Sequence, residues 1–355
     1  MGSDNFIIIG GGPAGSFLAY LLTQAGASAK VYESLPKPAA KPCGMGVPKQ
    51  IEKIFKIPDG LVMNEVRKYK VYLDGELFVE SKEELWGWIV DKERMISYLL
   101  EGSEFINKKV NDRPDVLKEL FPNAYVVISN GSYWNGASKE RINALEVTLN
   151  LNERSFDENT IEIYFDTEMF GYYWIFPWGE KMLNIGVGGL MKFSDLKRKL
   201  LEFIKERKQL NVYPIHELER KIRGAQIIAS GIDLNKVDIL KNIFVVGEAA
   251  GAVFPLTGEG IRPSMITSKL LFDSIISGES YTKHLEVSDF YYANRLQAKV
   301  FEIMKAAPRY IRKMIMHSVP KEWFVKFGLG DFTREEIKKL KGLGGTFIEL
   351  LSHSI

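Results

Sequence analysis

Between Phe6 and Ala29 the chain reads FIIIGGGPAGSFLAYLLTQAGASA, a stretch without a single charge. Its hydropathy invites a membrane-span reading, but three successive glycines and a proline interrupt any continuous apolar helix. What the stretch does fit is a strand, a turn and a helix. FIII is a short apolar run suited to a buried strand, and SFLAYLLTQAGA reads as a helix ending at Gly26. AKVYE then returns as a second strand, completing a βαβ unit. Gly10, Gly12 and Gly15 fit G-x-G-x-x-G: a tight turn, a close backbone approach to a pyrophosphate, and close helix–strand packing. Pro13 and Ala14 open the helix, whose free N–H groups and positive dipole end suit phosphate. Glu33 ends the second strand about 20 residues on, where a ribose-binding acid is expected.

The glycine pattern recurs late. NIFVVGEAAGAVFPLTGEGIRPSMITSKLLFDSII reads as a strand, a glycine-rich loop and a helix. Between the two lie mostly strands. Tyr69 to Trp88 alternates around an Asp74-Gly75 turn, AYVVISNG is an apolar strand, and the segment from Asn143 to Gly189 is strand-rich. A charged helix, DLKRKLLEFIKERKQL, follows. From Leu285 the chain reads as helices broken at Pro308 and Pro320. The expected organisation is α/β: a discontinuous nucleotide domain (1–66, 89–135, 225–284), a β-rich substrate domain (67–88, 136–224) and a helical region (285–355).

Composition narrows the partners. A net charge of +2 gives no field for nucleic acid. Cys43 is the sole cysteine, so no intrachain disulfide and no cysteine-based zinc site is expected. The four histidines, at 216, 284, 317 and 353, are not at metal-ligand spacing, and no metal is expected. The start MGSDN lacks the basic residues of a signal peptide, which points to the cytoplasm. From Lys305 to Lys341 ten Lys/Arg face four Asp/Glu, interleaved with Tyr310, Met314, Trp323 and Phe324. Such a basic amphipathic surface suits peripheral contact with anionic lipid, or simply solvates a helical face.

Several stretches resemble known flavoproteins. GEAAGAVFPLTGEG resembles the second FAD motif of the glutathione-reductase-like fold. The resemblance implies FAD contacts at Gly247, Glu248, Gly258, Gly260 and Ile261 beside those of the first motif, with Glu248 standing where the family has Asp. Lys92, in VDKERM, takes the place of a family Arg near the FAD ribose or phosphates, or is a plain solvated surface lysine. KPCGMGVP (41–48) and YYWIFPW (172–178) resemble two segments of the geranylgeranyl reductases, within the p-hydroxybenzoate hydroxylase-like flavoproteins. That family implies FAD-dependent saturation of isolated C=C bonds in prenyl lipids or quinones. Hydride passes from flavin N5 with protonation of the other carbon, and recharging comes from NAD(P)H or a reduced carrier protein.

An unactivated alkene has no carbonyl to polarise, so catalysis must rest on placement in a dry apolar site. Tyr172, Trp174, Phe176 and Pro177 are the expected substrate-binding residues. Cys43 and Gly44 are the expected catalytic loop. Cys43 stands either as a local acid or positioning group, or as small packing in a loop shaped by its glycines. Two other readings share the fold: a flavin monooxygenase or halogenase, and a prenyl-binding protein without redox chemistry.

Overall fold

The computed structural model describes residues 5–37, 39–138, 140–151, 156–208, 210 and 213–341. The chain runs β1 (Asn5–Ile9), α1 (Pro13–Gln24), β2 (Ser28–Glu33), β3 (Gly46–Pro48), β4 (Val62–Val66), β5 (Lys68–Leu73), β6 (Glu76–Glu80) and β7 (Gly87–Val90). It continues α2 (Lys92–Leu99), β8 (Glu104–Asn107), α3 (Pro114–Leu120), β9 (Tyr125–Ile128), β10 (Arg141–Asn150), β11 (Thr160–Asp166), β12 (Gly171–Gly179) and β13 (Met182–Gly189). Then come α4 (Phe193–Lys205), α5 (Ile215–Lys221), β14 (Arg223–Ile228), β15 (Asp238–Leu240), β16 (Ile243–Val245) and α6 (Ile261–Ser277). Five helices close the described chain: α7 (Tyr281–Val287), α8 (Asp289–Ala306), α9 (Arg309–Ser318), α10 (Lys321–Gly328) and α11 (Arg334–Lys341).

The first sheet has the order β15-β16-β9-β1-β2-β8. All its neighbours are parallel except the β15–β16 edge pair. Strands of such a sheet are covered on both faces and read as continuous apolar runs; Phe6 to Ile9 are all buried accordingly. On α1, Phe17, Leu18 and Leu22 are fully buried, each stabilising by about 1.5–3 kcal/mol. Ser268 on α6 donates to the Ala14 carbonyl at 2.8 Å, fastening α6 to α1.

A seven-stranded sheet, β14-β10-β13-β12-β11-β5-β6, forms the second layer, and β3-β7-β4 a small third one. The Asp74-Gly75 turn joins β5 to β6 with φ of 48° and 89°, the left-handed pair that matches strand twist. Because β14 pairs with β10, the chain leaves the second sheet after Ile228, a few residues later than the expected boundary at 225. β7 likewise joins the small sheet with β3 and β4 and not the large one.

Side chains alternate on the large sheet. Leu145, Val147, Ile175, Ile185 and Val187 pack under Leu196, Leu200 and Phe203 of α4. Tyr173 stacks on Phe203 with ring centroids 4.3 Å apart. The other face looks toward the parallel sheet and the late helices. Pro308 and Pro320 precede α9 and α10, as the sequence predicts. No helix among the described residues is long and apolar enough to cross a membrane, so the apolar N-terminal stretch is β1 and α1.

Candidate active site

One cavity of about 470 Å³ runs from the first glycine loop, past the Lys41–Pro48 loop, to the large sheet and helices α8–α10. Its glycine end is built by side chains that are missing. Gly10 has φ of +110°, and a Cβ there would stand 2.6 Å from the Asn130 backbone. A Cβ on Gly15 would stand 2.0 Å from the Gly10 carbonyl oxygen, so only glycine lets α1 dock on β1. Gly12 caps α1 without a side-chain hydrogen bond, faces open space, and lines the cavity with Gly10, Pro13 and Ala14. Gly15 is buried behind them and shapes the loop from outside the cavity.

Glu33 is not an incidental surface acid. Its Oε2 accepts the Gly11 N–H at 2.8 Å, its Oε1 the Leu35 N–H at 2.8 Å, and it lines the cavity. Ser34 Oγ also reaches Oε1, at 3.5 Å, while Oε2 keeps a second lone pair for a hydroxyl donor.

The second glycine loop meets the first. Gly247, with φ of +68°, approaches Ala14 so closely that a Cβ would stand 2.6 Å from the alanine methyl. It sits behind Ala14, outside the cavity lining, which corrects its expected place as a direct contact. Glu248, Gly258, Gly260 and Ile261 do line the cavity. Gly260 caps α6, again without a side-chain hydrogen bond. Two helix N-termini therefore open uncapped into one space, a donor set suited to phosphate or carbonyl oxygens. With the acid at Glu33 and the open strip at Gly12, the residues fit an FAD.

Lys41 and Lys92 shape the middle. Lys41 Nζ pairs with Glu248 Oε2 at 2.6 Å and reaches Ser132 Oγ at 3.4 Å. Glu248 Oε1 accepts the Ile228 N–H at 3.1 Å, so the acid is held from two sides. Lys92 is buried, and its Nζ donates to the Lys41 carbonyl. A solvated surface lysine at 92 is thus ruled out; it braces the loop that carries Cys43. Lys41 opens the KPCGMGVP motif with no role that the motif assigns, since only the fold brings it to Glu248. Asn130, at the end of β9, donates to Asp112 at 2.8 Å and keeps a buried Oδ1 without a partner at the cavity edge.

The two resemblance motifs touch. Met45 turns the Lys41–Pro48 loop with φ of +61°, and its N–H donates to Cys43 Sγ at 3.4 Å. A Cβ on Gly44 or Gly46 would stand 3.0 Å from the Phe176 ring, and Trp178 Nε1 donates to the Gly44 carbonyl at 3.1 Å. The glycines are where β12 presses on the loop. Cys43 is half-buried, lines the cavity and packs beside the cluster of Phe17, Val47 and Met265.

Along β12, Tyr172, Trp174 and Phe176 face the cavity. Pro177 does not. One residue of strand turns it to the other side, where its carbonyl accepts from Asn64 Nδ2 at 3.0 Å. Tyr172 donates its hydroxyl to the Thr257 carbonyl in the second glycine loop. Burial, and then the neighbouring Cys43 thiol, push the Tyr172 pKa well above the ordinary value. Glu259 and Arg262 form a buried bidentate pair at 2.7 Å that holds this loop on α6. Among the described residues no His, Cys, Asp and Glu cluster is placed to hold a metal.

Comparison with known proteins agrees with this architecture. A model of the geranylgeranyl reductase catalytic domain matches residues 142–219, which span β11–β13 and α4 with nearly all of β10 and most of α5. A digeranylgeranylglycerophospholipid reductase of Methanocaldococcus jannaschii is 25% identical over 354 residues, covering 87% of this chain and 86% of that protein. A geranylgeranyl bacteriochlorophyll reductase-like protein of Thermoplasma acidophilum superposes with a TM-score of 0.68 at 18% identity, over 96% of this chain and 100% of that one. A flavin-dependent brominase shares the fold with a TM-score of 0.63 at 12% identity, over 98% of this chain and 97% of that one. The chain has an α/β fold of mixed sheets and helices like these flavoproteins, and it resembles the geranylgeranyl reductases over most of its length.

Proposed function

We propose that this chain is a cytoplasmic FAD-dependent reductase that saturates isolated C=C bonds of geranylgeranyl or related prenyl chains. The observation that carries the reading is that one continuous cavity joins two unlike ends. One end has two uncapped helix N-termini and Glu33; the rest is a mostly apolar channel between the large sheet and α8–α10. Val71, Ile163, Phe165, Trp174, Phe301, Met304, Ile315 and Phe324 line that channel, a surface suited to a long hydrocarbon.

In this reading the parallel sheet and both glycine loops form the glutathione-reductase-like FAD domain. The cofactor contacts are Gly10, Gly12, Pro13, Ala14, Glu33, Glu248, Gly258, Gly260 and Ile261, while Lys92 acts through the Lys41 carbonyl. Bound and reduced, the flavin supplies the hydride. The chain's own residues hold the alkene still and dry beside it. Tyr172, Trp174 and Phe176 form the wall against which the chain lies. Cys43 carries the proton: its Sγ accepts from Met45 N–H, which leaves its S–H to donate. NAD(P)H or a reduced carrier protein restores the cofactor. The exposed Tyr310 and Met314, flanked by Arg309 and Lys313 on α9, rest on anionic lipid where the substrate lives. Co-sedimentation with anionic vesicles that Tyr310→Ser and Met314→Ser leave unchanged would remove this last element.

The deciding experiment incubates dithionite-reduced protein with geranylgeranyl lipids under anaerobic conditions. Product mass rises by about 2 Da per saturated bond. No mass gain on any prenyl lipid, with flavin bound and reducible, overturns the reading; oxygen uptake coupled to NAD(P)H oxidation and an oxygenated or halogenated product replaces it with the monooxygenase class. Cys43→Ser at full turnover would remove the proton role and leave the loop a positioning one.

A further inference from the structure

Packing alone does not set the orientation of Trp174. Three neighbouring strands, β10, β13 and β12, present Glu146, Asn184 and Trp174 on the cavity face. Trp174 Nε1 donates to Asn184 Oδ1 at 2.7 Å, and Asn184 Nδ2 donates to Glu146 Oε2 at 2.8 Å. Arg223, opposite Glu146 on β14, donates from Nη2 to Glu146 Oε1 at 2.8 Å. Glu146 is 3% exposed and Asn184 is fully buried, whereas the Arg223 side chain is 59% exposed. The arginine thus balances the buried carboxylate from the rim of the sheet.

This chain of bonds has a fixed polarity. An indole N–H only donates, and an ionised carboxylate only accepts. The amide between them satisfies both in one orientation: oxygen to the indole, nitrogen to the carboxylate. Without the carboxylate, Asn184 Nδ2 is buried with no acceptor, and a turned amide would set donor against donor at the indole. Gly186 lies in register between Glu146 and Trp174, and a Cβ there would stand 2.1 Å from the indole Cζ2. The glycine clears the space that the ring crosses; the hydrogen bonds set where in that space the ring stops. The Nε1 edge of the ring faces the Cys43 loop, with a Cβ on Gly44 reaching within 3.3 Å of it.

We propose that Glu146 is a positioning residue: through Asn184 it fixes the plane of Trp174, and so sets the width of the channel where it passes the Cys43–Gly46 loop. The consequence for substrate choice rests on the prenyl-reductase reading; the consequence for the indole does not.

The test uses the full-length flavoprotein labelled with nitrogen-15. The Trp174 indole N–H resonance is identified by its loss in Trp174→Phe. In Glu146→Met its hydrogen exchange accelerates about tenfold, as expected for one lost hydrogen bond. In Glu146→Gln, whose amide oxygen still accepts from Asn184, exchange stays within about threefold of wild type. Across prenyl lipids of different chain length, Glu146→Met raises KM more than it lowers kcat and alters the distribution of partly reduced products, and Glu146→Gln restores the wild-type pattern. Should Glu146→Met fail to fold, Asn184→Val removes the Asn184–Glu146 bond together with the indole's own bond to Asn184, and exchange accelerates at least as much. Unchanged indole exchange in a folded Glu146→Met or Asn184→Val protein overturns the proposal. So does accelerated exchange with an unchanged product pattern, for the part that concerns substrate. If wild-type protein reduces no prenyl chain, the functional reading falls while the exchange comparison still decides the role of Glu146 at the indole.

Discussion

The two ends of the cavity are made by opposite means. At the glycine end the shape comes from side chains that are absent: Gly10 and Gly15 bring backbone to backbone, and Gly12 leaves open space at the uncapped start of α1. At the aromatic wall it comes from large side chains whose polar tips are each tied down. Trp174 is tied to Asn184, Trp178 to the Gly44 carbonyl and Tyr172 to the Thr257 carbonyl. A backbone cradle tolerates no added atom where it is closed and some where it is open. An anchored wall tolerates changes of volume poorly and changes of anchor in proportion to the bond lost.

The sharpest test of that contrast lies within one motif. Gly15→Ala places a methyl 2.0 Å from the Gly10 carbonyl oxygen, an atom held in the loop that β1 and β9 define. The cost is at least about 1–3 kcal/mol, the range for overpacking, and both flavin content and melting temperature fall. Gly12→Ala meets nothing within 4 Å at a φ of −74°, so the fold keeps its melting temperature. Its methyl enters the cavity, and flavin affinity alone drops. Equal melting losses in the two variants would erase the distinction between a closed and an open glycine.

The same contrast separates what is legible in the sequence from what is not. A glycine whose role is absence carries that role in its spacing, so the two nucleotide loops, β1, α1 and α6 can be read from the order of residues alone. The aromatic triplet at 172, 174 and 176 is legible too, as a period-two pattern on a strand. Its anchors are not, because hydrogen-bond partners 10 to 85 residues away are set by strand register and loop placement. Pro177 shows the cost: it belongs to the motif by sequence but faces away by strand alternation. Glu146 offers the one available hint, a carboxylate in LEVTLNL at an alternation step where its neighbours are buried. Lys41 offers none, since its meeting with Glu248 spans 207 positions.

The wall is broken next by volume. Gly186→Ala puts a methyl 2.1 Å from the Trp174 indole and 2.5 Å from the Leu145 carbonyl oxygen. About 1–3 kcal/mol of stability is lost, and the indole is pushed off its bond to Asn184. Flavin content stays near that of wild type, because both nucleotide loops are untouched. Reduced activity with full flavin occupancy, together with a shifted Trp174 emission seen by difference from Trp174→Phe, is the expected result. Loss of flavin would show that the two ends do not separate.

The smallest effect concerns one anchor. Tyr172→Phe leaves the Thr257 carbonyl without its donor and costs about 0.5–1.5 kcal/mol at neutral pH. The sign of its pH dependence follows from burial. The folded protein keeps Tyr172 protonated above pH of about 10, where tyrosines of the unfolded chain ionise. The unfolded state then binds fewer protons than the folded one, so stability falls as pH rises through that point and is unaffected below it. Tyr281, whose pKa burial also raises, adds to the same alkaline loss in both proteins. Wild type loses the Tyr172 share and Tyr172→Phe has none to lose. The stability gap between them therefore narrows from pH 7 to pH 11 in denaturant titrations, and a constant gap would mean that the hydroxyl is not buried at the wall.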